Sequence, residues 1–84
     1  MMIAWTDRAW NEYLHWQKHD KKFIKRINKL IRDIKRHPEE GIGKPEELRF
    51  DLSGKWSRRI SQEHRLVYQV TDEMVIIFQC RYHY

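Results

Sequence analysis

Five residues carry the chemistry open to this chain: Glu46, Arg59, Arg65, Arg81 and His83. Strand spacing puts the three arginines and the histidine on one side of a sheet. Guanidiniums crowded around one imidazole repel each other, and the cluster costs stability until an anion joins it. A phosphate is the obvious anion. Glu46 lies in the Pro- and Gly-bearing stretch 38–47, which can reach over the same surface. A carboxylate, an imidazole and guanidiniums are the parts needed to cut RNA without a metal. One group removes the 2′-hydroxyl proton, another protonates the leaving 5′-oxygen, and guanidiniums hold the charge that builds on phosphorus. No metal or cofactor is expected, because no pair among His15, His19, His37 and His64 has convincing ligand spacing and Cys80 is the single cysteine.

The elements that must place these residues follow from periodicity. Met2 to Trp5 reads as an edge strand, and Thr6 and Asp7 can cap a helix over 7–18. Asp20 can cap a second helix over 21–36, with Phe23, Ile24, Ile27, Leu30, Ile31 and Ile34 on one stripe and Pro38 as its stop. The 38–47 segment is expected to be a mobile loop. The period then switches to two: Leu48, Phe50 and Leu52 alternate with polar residues before a Ser53-Gly54 turn. Strands are expected near 55–60, 65–71 and 74–83. The fold class is therefore α+β, with two N-terminal helices packed on one face of a small, mainly antiparallel sheet.

Matching the apolar faces fixes the register. Leu66, Tyr68 and Val70 are set against Ile76, Phe78, Cys80 and Tyr82, which requires an odd-length turn or a bulge. Trp56 and Ile60 join that face. Arg58 lands there too, either as a structural group or as a rim contact. The opposite face then collects Ser57, Arg59, Arg65, Gln79, Arg81 and His83.

Composition bounds the rest. Eighty-four residues (10.5 kDa) make one domain, 1–84, and its eleven aromatic residues exclude a disordered chain. The four tryptophans are read as core. A longest apolar run of five residues, Met74 to Phe78, excludes a membrane-spanning helix, and with no leader pattern the expected compartment is the cytoplasm. A net charge of +5 points to a polyanionic partner. The polar face of the second helix concentrates that charge in Lys21, Lys22, Lys25, Arg26, Lys29, Arg32, Lys35 and Arg36. It is either a solvated face or a surface that docks on RNA phosphates.

Four blocks resemble the YoeB/Txe toxins of the RelE/ParE-type toxin–antitoxin superfamily: Gly43-Lys44-Pro45-Glu46, Leu52 through Ile60, Glu63 through Tyr68, and the ending Cys80-Arg-Tyr-His-Tyr84. The resemblance runs the whole chain. It implies a RelE/microbial RNase-like fold and a ribosome-dependent endonuclease that cleaves mRNA in the A site. It further implies silencing by a YefM/Axe-like antitoxin and a possible homodimer. Carried over by position, Glu46 resembles the general base and His83 the general acid. Arg65 resembles the residue on the scissile phosphate, and Tyr84 the C-terminal tyrosine that orients the nucleotide. Arg59 and Arg49 resemble supporting phosphate contacts, and Lys44 and Arg81 join them as candidates. Two departures stand out. Glu47 follows Glu46, which leaves the base as either carboxylate, and Phe50 occupies a position often polar in relatives. Rival readings are a ParE-like gyrase-inhibiting toxin or a plain basic RNA-binding module. The Arg-Tyr-His-Tyr ending and the Lys-Pro-Glu loop argue against the ParE-like reading, since a binder needs neither.

Overall fold

A computed structural model describes residues 1–84. Chain order is β1 (Met2–Trp5), α1 (Asp7–His19), α2 (Lys21–Arg36), β2 (Glu46–Glu47), a single 3-10 turn (Phe50–Leu52), β3 (Trp56–Arg59), β4 (Arg65–Val70) and β5 (Met74–Gln79). Thr6 starts α1 by accepting the Ala9 N–H. Asp20 starts α2 by accepting from Lys22 and Phe23, so a one-residue joint sets the two helices side by side.

The five strands form one sheet in the order β1-β5-β4-β3-β2. The β1–β5 pair is parallel and the other pairs are antiparallel. Both helices cover one face of it. Ala9 and Trp16 from α1, with Ile27, Leu30, Ile31 and Ile34 from α2, form a single core with Leu66, Tyr68, Val75, Ile77 and Cys80. Each fully buried aliphatic side chain there contributes roughly 1.5–3 kcal/mol. The α+β expectation and the helix boundaries hold. Of the four tryptophans only Trp16 is buried, and Trp10 stays 45% exposed.

Three expectations are corrected. The anticipated bulge does occur, between Val67 and Tyr68, but it lies further along the hairpin than the face assignment required. Before it, Val70 pairs with Val75 and Tyr68 with Ile77, so Val75 and Ile77 face the helices, while Ile76 shares the other face with Gln69. After it, Val67 opposes Gln79, and Cys80 turns into the core. Second, β5 ends at Gln79 rather than at residue 83, and Tyr82 takes a left-handed φ of 66°, so strand alternation does not extend to the last four residues. Third, 48–52 is no strand. Only Glu46–Glu47 pairs, against Ser57 and Trp56, and Phe50 opens the 3-10 turn with φ 57°. A left-handed aromatic costs about 1–3 kcal/mol.

The 38–45 loop is fastened rather than mobile. Arg58, on the helix-facing side opposite Leu66 and with no exposed surface, sends its guanidinium into that loop. It donates to Asp33 Oδ2 at 2.5 Å, to the Ile42 and Glu40 carbonyls at 3.1 and 2.8 Å, to the His37 carbonyl and to the Tyr68 hydroxyl. Asp33 Oδ2 also accepts the Ile42 N–H. These two contacts, Arg58 first, hold the Asp33 carboxyl below its usual range. Gly41 lets the loop close on this pair: its φ is +117°, and a Cβ there would stand 2.1 Å from Asp33 Oδ2. Arg58 is thus structural, not a rim contact.

Candidate active site

The uncovered sheet face is built by the alternation of β3 and β4. Arg59 opposes Arg65, Ser57 opposes Val67, and β2 adds Glu46 opposite Ser57. Glu47 pairs with Trp56 and so belongs to the other side. Register therefore separates the two candidate bases, with Glu46 on the face that carries Arg59 and Arg65.

No helix covers this face, yet Ser57 and Val67 are each 2% exposed and Gln79 is 6% exposed. The last residues of the chain account for this by folding back over it. Two α1 groups fix the departure point: Trp16 Nε1–H donates to the Cys80 carbonyl at 2.8 Å, and Glu12 Oε1 accepts the Cys80 N–H at 2.9 Å. The Cys80 thiol, desolvated and beside the Glu12 carboxylate, is pushed up to about 12 and takes no part in acid–base work.

Farther along, the Arg65 N–H donates to the Tyr82 carbonyl at 3.0 Å. Gln79 Nε2 donates to the carbonyls of Tyr82 and His83 at 3.2 and 3.1 Å. The Tyr84 hydroxyl accepts from Ser57 Oγ at 3.3 Å and donates to Glu46 Oε2 at 3.4 Å, both long contacts. The exposed His83 ring lies against the Tyr84 ring, with centroids 5.0 Å apart. Glu46, Tyr84 and His83 are thereby joined in sequence across one surface.

Arg65 is 8% exposed. Its Nη1 donates to the carbonyls of Ser61, Gln62 and His64 at 2.7, 3.0 and 3.2 Å, which fixes the guanidinium at the edge of the face. Arg59 is exposed beside it. Lys44 and Arg49 are exposed on the segments flanking β2. Arg81 does not join them. Its guanidinium lies 4.6 Å from the Tyr82 ring centroid and 5.7 Å from that of Trp16, against α1. Early termination of β5 is the reason: with the strand over at Gln79, residue parity no longer predicts which way Arg81 points. Desolvation, with the nearby Arg81 charge second, lowers the pKa of His15 on the same side.

The basic row of α2 stands on the far side of the sheet from Glu46. Lys21, Lys22, Lys25, Lys29, Arg32, Lys35 and Arg36 are exposed, while Arg26 is half-buried and donates to the Arg59 carbonyl at 3.1 Å. The protein offers two separate cationic surfaces.

Sequence reasoning missed three residues that place the tail. The sequence pattern places Ser57 and Gln79 on the right face without showing a task for them. It shows no role for His64, yet the His64 Nδ1 accepts the Tyr82 N–H at 2.7 Å while its ring packs on Trp16, Phe23 and Tyr82. No period reveals such a contact, because it joins a turn to an irregular tail. A histidine flanked by Glu63 and Arg65 was the only available hint.

Known proteins resemble this chain over its whole length. A family model described as "YoeB-like toxin of bacterial type II toxin-antitoxin system" matches residues 5–84. Toxin YoeB of Escherichia coli K12 is 56% identical over 84 residues, covering all of both chains. Among solved structures, a YoeB/ParE toxin from Agrobacterium tumefaciens superposes with a TM-score of 0.98 at 46% identity, with full coverage of both chains. Two Staphylococcus aureus structures, a YoeB dimer and a heterotetrameric YoeB–YefM complex, each share 47% identity. Their TM-scores are 0.95 and 0.94, and each match covers 100% of this chain and 98% of theirs.

Proposed function

This chain belongs to the YoeB-like toxins of bacterial type II toxin–antitoxin systems, and on that premise we propose that it is a metal-independent, ribosome-dependent mRNA endonuclease acting in the A site. The observation that carries the reading is the chain of contacts running from Glu46 through the Tyr84 hydroxyl to the His83 ring, over the face that bears Arg59 and Arg65.

Glu46 removes the proton of an mRNA 2′-hydroxyl. The freed oxygen attacks the adjacent phosphorus, and the 5′-oxygen leaves with a proton from His83. Arg65 stabilises the added charge on the phosphoryl oxygens with Nε and Nη2, the nitrogens not bonded to turn carbonyls. Arg59 assists, Arg49 and Lys44 hold flanking phosphates, and Tyr84 orients the nucleotide. The products are a 5′-hydroxyl and a 2′,3′-cyclic phosphate, which opens to a 3′-phosphate. The last four residues are held by separate hydrogen bonds and leave much of the alignment to the substrate. Free RNA is therefore cut slowly, and the ribosome supplies the missing positioning. The α2 row, on the opposite side, docks on ribosomal RNA while the site engages mRNA.

The partners follow from the same premise. A YefM/Axe-like antitoxin, with an acidic segment that folds onto the open face, silences the site. The protein self-associates as a homodimer and acts in the cytoplasm. Neither helix is long and apolar enough to cross a membrane.

Mapping 5′ ends of an mRNA incubated with the purified protein, with and without ribosomes, tests the reading. Cuts with 5′-hydroxyl ends that require translation are expected. Intact mRNA together with inhibition of gyrase supercoiling would favour the ParE-like alternative, and a gel shift without cleavage would favour a plain RNA-binding module.

A further inference from the structure

We infer that a groove between Phe50 and Tyr84 is a nucleobase subsite that holds the base of the nucleotide whose 2′-hydroxyl attacks; this rests on the nuclease reading above. The groove, about 320 Å³, runs along β2 into the 3-10 turn, and Glu46, Glu47, Arg49, Phe50 and Tyr84 are among its walls. Phe50 is 92% exposed. A single exposed apolar residue is ordinary on any protein surface. Phe50 differs in two ways: its backbone is left-handed, at φ 57°, and its ring shares a groove with the carboxylate and the tyrosine of the candidate active site. Strain of this kind persists where the surroundings enforce it, and it concentrates at ligand sites.

Charge selects the occupant. The Glu46 carboxylate borders the groove beside the Tyr84 hydroxyl, so a phosphate there would be repelled, whereas an uncharged aromatic ring would not. Two aromatic walls suit such a ring, because every nucleobase has a π-face for a phenyl or phenol side chain to stack on. Arg49, exposed beside them, suits the flanking phosphate on the 5′ side of that nucleotide. Ribose chemistry then fixes which nucleotide this is. The base and the 2′-hydroxyl sit on neighbouring carbons of one sugar, so a base in this groove brings its own 2′-hydroxyl to Glu46. The groove thus serves the nucleotide on the 5′ side of the cut.

The test is the affinity of the full-length protein for a hexanucleotide RNA with a 2′-O-methyl group at the cut position. It compares wild type with Phe50→Ala and Phe50→Trp, each with and without removal of the base on the 5′ side of that position. Phe50→Ala is expected to weaken binding about 5- to 100-fold, the usual worth of one stacked base, and Phe50→Trp to stay within about 3-fold of wild type on the same scale. Removing the base should cost wild type the same factor and cost Phe50→Ala almost nothing further. Because the ring is exposed, Tm should hold within about 4 °C, which separates lost stacking from lost folding. Wild-type affinity indifferent to the missing base, or a base effect undiminished in Phe50→Ala, overturns the subsite. Both readouts are independent of cleavage. A wild type that binds in this pattern but never cuts translated mRNA sinks the nuclease reading and leaves the subsite standing.

Discussion

The two arms that bring proton-transfer groups to this face are built differently. The arm bearing Glu46 follows a loop wrapped around a fully buried guanidinium, with Arg58 bonded to Asp33, Tyr68 and three loop carbonyls. The arm bearing His83 is an irregular tail. Beyond its anchor at Cys80, separate hydrogen bonds donated by Arg65, Gln79 and Ser57, and one accepted by His64, hold it. The base arm is fixed by burial, while the acid arm is placed by contacts that each contribute only about 0.5–1.5 kcal/mol. Damage to the first should appear as lost folding, and damage to the second as lost rate in a folded protein.

The largest effect belongs to Arg58→Ala. It strands the partly exposed Asp33 carboxylate and three carbonyls, and each buried partner left unsatisfied costs about 1–3 kcal/mol. In a domain this small, thermal denaturation should show Tm falling by more than about 12 °C. A fall of only a degree or two would mean that the loop does not depend on the guanidinium.

Asp33→Asn keeps the shape but removes the charge. Its expected cost is about 1.5–3 kcal/mol at pH 7, the range for hydrogen bonds to charged groups. Because the Asp33 pKa is depressed in the folded state, its contribution is fully present above the unfolded carboxyl value, about 3.9, and is lost as pH falls through the folded one. Denaturant titrations should therefore show the variant and wild type converging toward acid and diverging toward neutral pH.

His64→Phe probes the other arm. It retains a ring against Trp16 but loses the acceptor for Tyr82 N–H. Stability should change by no more than about 1 kcal/mol, while cleavage falls about 10-fold because a slightly misplaced tail is costly. His64→Asn, whose side-chain oxygen can stand in for Nδ1, should recover most of the rate. Equal rates for all three proteins would remove His64 from the site.

The same contrast explains what could be read from the sequence. The helices and their caps were legible because a 3.6-residue stripe and Asp20 or Thr6 act locally. The face shared by Arg59 and Arg65 is legible from alternation along β3 and β4, whereas a loop reading of 38–47 leaves Glu46 and Glu47 unseparated until the β2–β3 pairing divides them. Alternation fails where a bulge shifts it and where the strand ends, which is why Ile76 and Arg81 were misplaced. Arg58 could be placed on the apolar side but not explained. Its partners come from α2 and from the loop, and no short-range pattern encodes so distant a set of carbonyls.

The most direct measurement is the single-turnover rate of cleavage of ribosome-bound mRNA by Glu46→Gln beside Glu47→Gln, both confirmed as folded. Losing a general base should slow Glu46→Gln about 10²- to 10⁴-fold. Glu47→Gln, paired with Trp56 on the opposite side of the strand, should stay within a few-fold of wild type. The reverse order, or two unchanged rates, would contradict the assignment of the base and with it the division of base and acid between Glu46 and His83.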